Sequence, residues 1–362
     1  MPRGSRNRTG LSPLVDGGLA PSPPATRPSP VPATGPLTPE AIRVGRVSRR
    51  TRADADFLRE LAAAVPPLVE RHLATQRDWL PHEFVPWSRG RDFEPDEEWD
   101  PGEFPLPEGV RSALFVNLLT EDNLPHYFAT ITHVFGATEP WTEWSFRWTA
   151  EEHRHSIAIR DYLTVTRAVD PVALERARMA QVSGGQVPRP DSPLDGVCYV
   201  AMQELATRVA HRNTGTRLDD PVGQRLMKRV AMDENLHYLF YRDLATRARD
   251  IDPSRFMVSL DRQVRGFAMP GTGITDFNRH SRAIAREGIY DLAVHHDHVL
   301  VPTVERTWEI ESLEGLDAEG EQARRRLLDH MARLARLSER LRERRSSRST
   351  RVADQHQDPA RA

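Results

Sequence analysis

Glu152-His153-Arg154-His155 and Glu234-Asn235-Leu236-His237 are the two stretches whose reading decides the fold. Each is a Glu-x-x-His pair. On a helix, residues three apart share a face, so each pair can grip one ion. A single such pair carries little weight in a chain with 14 histidines. The surroundings add to it. Glu121 lies 31 residues before Glu152, and Glu204 lies 30 before Glu234. The order is Glu, Glu-x-x-His, Glu, Glu-x-x-His, one unit on each of four predicted helices.

That order is the donor set of a dinuclear carboxylate site in a ferritin-like bundle. The 52 residues from Glu152 to Glu204 leave room for the crossover connection that such a bundle needs. Trp144, Trp148, Glu152, His155, Ile159 and Tyr162 share one stripe, and so do Leu226, Val230, Glu234, His237, Tyr241 and Leu244. Polar groups inside an apolar stripe point at the core, where an unpaired carboxylate is costly. Buried ion pairs explain one Glu–His pair equally well, but not six residues in this order. Four carboxylates balance two divalent ions. Oxygen ligands with two imidazoles suit iron or manganese, with zinc possible. Each histidine also needs an acceptor for its other ring N–H, and Asp233 is a candidate. Thr207, one turn after Glu204, either offers its hydroxyl to the metals or bonds its own backbone.

Working outward, helices are expected at about 53–77, 108–135, 138–169, 194–213 and 221–249, with a short one after Pro171. Pro125 should bend the second of these beside Glu121. Gly215 reads as a helix-ending glycine. The Pro- and acid-rich stretch 81–108 is too irregular for a helix. The fold class is therefore all-α: a ferritin-like four-helix bundle core enlarged with additional helices.

The 362 residues fit one large domain or two ordinary ones. No run of eighteen apolar residues occurs, which argues against a membrane span. The lone Cys198 excludes an internal disulfide and a thiolate cluster. A net charge of −2 gives no reason to expect nucleic-acid binding. Three zones are expected: a disordered Pro/Arg-rich tail over 1–45, a metal-binding domain over 46–317, and a basic amphipathic helix with a disordered end over 318–362. Residues 324–351 carry +8, which leaves −11 on 41–323. Lys228 is the single lysine against 49 arginines.

The segments Thr120-Glu121-Asp122-Asn123-Leu124-Pro125-His126-Tyr127 and Arg147 to His155 resemble the first two ligand segments of the soluble acyl-acyl-carrier-protein desaturases. Gln203-Glu204-Leu205-Ala206-Thr207 with His211, and Asp233-Glu234-Asn235-Leu236-His237, resemble the other two. Trp79-Leu80-Pro81-His82-Glu83-Phe84-Val85-Pro86-Trp87 is similar to the family's Trp-containing entry segment. The resemblance spans about residues 54–312. It implies a cytoplasmic diiron homodimer that uses O₂ and two electrons from a ferredoxin to place a cis double bond in a fatty acyl chain on acyl-carrier protein. Its two iron ions would sit on Glu121, Glu152, His155, Glu204, Glu234 and His237. Trp79, His155 and Asp233 match an electron route, and Thr207 a residue tied to oxygen activation. His153 and Ser156 depart from the usual Asn and Gly, which puts activity level or regiochemistry in question.

Phe115, Leu118 and Met202 are candidates to line an acyl slot, with core packing as their ordinary role. A carrier protein is acidic, so docking on a −11 body needs a local basic patch. The other readings are another diiron oxygenase on this scaffold, a hydroxylase or N-oxygenase, and a non-catalytic metal-binding bundle. Fold alone does not separate these.

Overall fold

The structure is a computed structural model and describes residues 52–357 except 95, 270 and 272. The tail expected over 1–45 lies outside the described residues. Helix α1 (Arg52–Leu61) passes through a 3₁₀ turn into α2 (Val65–Thr75), and the stretch up to residue 107 is irregular apart from short 3₁₀ turns. Then follow α3 (Glu108–Glu121), α4 (Leu124–Phe135), α5 (Trp141–Thr166), α6 (Pro171–Gly184), α7 (Pro193–Arg217) and α8 (Pro221–Ile251). The chain continues through α9 (Pro253–Arg265), α10 (Phe277–Glu287), α11 (Leu292–His295), a π-helical stretch His296–Thr307, and α12 (Ala318–Gln357). No strand occurs among the described residues.

Local sequence sets the helix starts. Asp170, Ser192, Asp220 and Asp252 each precede a proline, and each side chain accepts from a backbone N–H of the helix that follows. Proline at the first position costs no hydrogen bond there, and the capping oxygen satisfies an otherwise orphaned donor.

Two expectations change. The helix expected over 108–135 is two helices, broken at Asp122-Asn123. Pro125 has no N–H for the Glu121 carbonyl, so the chain stops and restarts instead of bending. Gly215 does not end its helix, which runs on to Arg217. A Cβ at Gly215 would lie 2.9 Å from Met227 Cβ, so this glycine allows α7 and α8 to approach closely.

Helices α3, α5, α7 and α8 form the central bundle. One apolar cluster contains Trp144, Trp148, Leu205, Phe240 and Leu244; a second contains Leu114, Leu118, Ile159, Leu226 and Val230. Along both α5 and α8 the chain passes from one cluster to the other, and the Glu-x-x-His pairs fall between them. Helix α12 adds Ala323, Leu327 and Met331 to the first cluster, and Arg326 pairs with Asp261 of α9. No described helix is long and apolar enough to cross a membrane.

Candidate metal centre

The six predicted donors converge. Glu121 comes from α3, Glu152 and His155 from α5, Glu204 from α7, and Glu234 and His237 from α8. All are buried, with His155, Glu204 and His237 at 0% exposure. They form two groups whose donor atoms lie within 4.8 Å of one another: Glu121, Glu152, His155 and Glu234, and Glu152, Glu204, Glu234 and His237. Glu152 and Glu234 belong to both groups, as bridging carboxylates between two ions would.

The donor atoms fit a metal better than they fit each other. His155 Nδ1 lies 3.3 Å from Glu152 and 3.5 Å from Glu234, and His237 Nδ1 lies 3.0 Å from Glu152. Yet both Nδ1 atoms and Glu204 Oε2 are buried without a properly directed hydrogen bond. Orphaned buried polar atoms are rare in native proteins and call for an explanation. Convergent lone pairs aimed at one point supply it. Burial and the neighbouring Glu234 and Glu152 push the Glu204 carboxyl well above the ordinary range. Burial opposes charge on His155 and His237, but the surrounding carboxylates raise both well above the ordinary value. The cluster can hold metal ions, and it needs positive charge.

The outer nitrogens are engaged. His155 Nε2 lies 3.3 Å from Asp233 Oδ2, and Trp79 Nε1 donates to the same oxygen at 2.7 Å. The Trp79 and His155 rings stack at 6.3 Å between centroids. Arg229 and Arg154 also pair with Asp233. Burial raises the Asp233 pKa, but His155, Trp79 and Arg229 together hold it well below the usual carboxylate range. Trp79 and Asp233 thus stand beside the cluster, hydrogen-bonded to each other, with Asp233 against His155. Asp233 was a candidate acceptor, and it serves the histidine of the other pair.

Thr207 Oγ1 lies 2.8 Å from Glu234 Oε2, and 3.0 and 3.2 Å from the Glu204 and Gln203 carbonyls. Its single proton serves one acceptor at a time, so both roles read from the sequence are open to it. Glu121, Glu152, Thr207, Trp148, Gln203 and Tyr127 border a cavity of about 10 Å³, roughly the space of one water molecule.

Glu151, His72 and His211 also take part, and none of them was given a role from the sequence. Glu151 accepts from His237 Nε2 at 2.9 Å and contacts His72 Nε2 at 3.1 Å. Burial raises its pKa, but those two imidazoles hold it far below the ordinary range. The signal was present, since Glu151 precedes Glu152 as Asp233 precedes Glu234. His72 lies far away in sequence and carried no signal. His211 Nε2 lies 2.9 Å from Glu121 Oε1. Ser156, a departure from the family pattern, donates to Asp122 Oδ1 at 2.6 Å and so anchors the break after Glu121.

The candidate slot residues lie elsewhere. Leu118 and Met202 are fully buried in the two core clusters, and Phe115 stacks on His280. Other faces of α3 and α7 border a cavity of about 340 Å³, with Val116, Asn117, Thr120, Thr207, Ala210 and His211 in its wall. Residues one position away in a helix point about 100° apart, enough to move from slot to core.

A family model described as fatty acid desaturase matches residues 53–357. The chain is 42% identical over 281 residues to DesA1 of Mycobacterium tuberculosis, a protein named as an acyl-acyl-carrier-protein desaturase, covering 75% of this chain and 83% of that one. It is 29% identical over 288 residues to a chloroplastic stearoyl-acyl-carrier-protein 9-desaturase of Gossypium hirsutum, covering 74% of this chain and 72% of that one. Among solved structures, DesA2 of Mycobacterium tuberculosis superposes with a TM-score of 0.60 at 27% identity, covering 74% of this chain and 99% of that one.

Proposed function

The chain belongs to the fatty acid desaturase family, and we propose that it is a cytoplasmic acyl-acyl-carrier-protein desaturase with two iron ions on Glu121, Glu152, His155, Glu204, Glu234 and His237. The observation that carries this reading is the double Glu-x-x-His cluster, buried in the core and bordered at Thr120 and Thr207 by a cavity of about 340 Å³. The reaction removes two hydrogens from adjacent acyl carbons. Together with two electrons and two protons, they reduce O₂ to two waters. A ferredoxin-type protein supplies the electrons.

Alkyl C–H bonds resist acids and bases, so the metal pair, when bound, supplies the oxidising chemistry. The protein's own residues do the rest. Asp233 and Glu151 hold the two imidazoles with Nδ1 turned inward. The cavity wall at Val116 and Ala210 is apolar and suits an acyl chain. Its inner end at Thr120 and Thr207 holds that chain beside the carboxylates, where position alone lowers the barrier. The two apolar clusters keep bulk water from the centre. Thr207 Oγ1 can turn its O–H from the backbone carbonyls of its own helix to Glu234 Oε2, donating a hydrogen bond to one or the other.

A homodimer belongs to the same reading. Phe146 and Ile157 on α5, and Val172, Met179 and Val182 on α6, are large apolar side chains open to solvent. Exposed apolar side chains of this size suit an interface with a second copy.

The test is incubation of the iron-loaded protein with acyl carriers of several chain lengths, reduced ferredoxin and O₂. Mass spectrometry should show loss of two hydrogens. Gain of one oxygen would replace this reading with a hydroxylase, and binding without turnover would leave a metal-binding bundle.

A further inference from the structure

The two halves of the centre have matched donors and unmatched surroundings. Each half has one imidazole and one carboxylate of its own, His155 with Glu121 and His237 with Glu204, and both share Glu152 and Glu234. The inner charges are therefore equal. Behind each imidazole stands one outer carboxylate, Asp233 for His155 and Glu151 for His237. These two acids are not answered alike.

Asp233 meets two guanidinium groups, Arg154 at 2.9 Å and Arg229. Both are largely withdrawn from water, with side-chain exposures of 15% and 9%. Trp79 turns its N–H on the same carboxylate. The other acid near Arg154, Asp78 at 3.8 Å, is 95% exposed, so water screens it. Asp122, next to the ligand Glu121, is balanced by Arg178 at 2.6 Å.

Glu151 meets a single guanidinium, Arg147 at 2.6 Å, and that group is 35% exposed. Its other partner is the imidazole of His72, whose Nδ1 is buried without an acceptor for a second proton. One net positive charge therefore stands behind His155, and none behind His237. A divalent cation is repelled by a nearby like charge, and the repulsion is strongest where water is excluded.

We propose that Arg154 and Arg229 make the two metal positions unequal: the ion on Glu204 and His237 is held more tightly, and the ion on Glu121 and His155 is released first. This rests on the dinuclear reading of the centre. The two arginines touch no donor atom of the cluster; they act through Asp233 and through their charge.

The experiment starts from the full chain loaded with Mn²⁺ under argon, and withdraws metal stepwise with a chelator of known affinity. A coupled pair of Mn²⁺ ions and a single ion give different EPR spectra, so each stage is read without turnover. The unmodified chain should release its two ions at chelator levels on the order of tenfold apart, with a single-ion spectrum between the steps. Arg229→Gln or Arg154→Gln should tighten the ion released first by a similar factor and draw the steps together. Arg229→Lys keeps the charge and should keep the steps apart. His155→Ala should still hold one ion about as tightly as the better site of the unmodified chain, whereas His237→Ala should hold none so tightly. Circular dichroism checks that each variant is folded. Release of both ions in one step, with no single-ion spectrum, would overturn the proposal. So would glutamine variants whose steps stay as far apart as before, or a His237→Ala chain that keeps the tighter ion. An unmodified chain that takes up neither Mn²⁺ nor Fe²⁺ would defeat the dinuclear reading itself, and this inference with it.

Discussion

Asp233 directly precedes Glu234 in the chain, yet its Oδ2 lies 3.3 Å from Nε2 of His155 on the facing helix. Glu151 directly precedes Glu152 and mirrors it, 2.9 Å from Nε2 of His237. The acid before each Glu-x-x-His pair therefore supports the histidine of the opposite pair. A helix turns about 100° per residue, so the position before a core-facing glutamate points sideways, toward its neighbour. The two helices lock each other's imidazoles.

That crossing yields the first prediction. Glu151→Gln and Asp233→Asn should each weaken metal binding by about 10–100-fold, because outer partners fix ring orientation and basicity. Competition titration against a chelator reads this directly. Unchanged affinity in both variants would show that the crossed contacts are incidental.

Metal removal should destabilise the fold, because four buried carboxylates then repel one another. A chelator should lower the Tm, and added Fe²⁺ or Mn²⁺ should restore it. His237→Ala should show a Tm that barely responds to either treatment. A wild-type Tm indifferent to metal would refute the charge argument.

Asp220 offers a pH dependence remote from the centre. Its carboxylate accepts from Arg89, from Tyr162 Oη at 3.0 Å and from the Gly223 N–H at 2.9 Å. Burial raises its pKa, but these donors bring it below the ordinary aspartate value. A depressed folded pKa stabilises the protein above the unfolded value, about 4, and this is lost as pH falls through the folded value. Asp220→Ala should cost about 1–3 kcal/mol at neutral pH. The difference from wild type should shrink below about pH 4 in urea unfolding curves. A constant difference across that range would contradict the assignment.

Replacing Phe146 and Met179 with glutamate should convert a homodimer to monomer in light scattering, with helicity retained. These side chains are 62% and 66% exposed, so the change should cost the monomer little stability. A dimer that survives both substitutions places the interface elsewhere.

Much of the centre was legible in the chain. Spacing by three on a helix, intervals of 31 and 30 residues, and apolar stripes around polar residues needed no tertiary information. These periodic signals established the all-α bundle and brought forward the six candidate donors, along with Asp233 and Thr207, whereas Trp79 came only from the family resemblance. Other features depended on which faces meet. Gly215 read as a stop because a glycine ending a helix and a glycine admitting a neighbouring helix look alike in sequence; only Met227 on α8 distinguishes them. His72 reaches Glu151 across 79 residues. The cavity of about 340 Å³ joins Val116 of α3 to Ala210 of α7 and Ile284 of α10. A linear sequence fixes what each helix presents around its axis. It does not fix the rotation and partner of that helix, which come from packing the whole bundle.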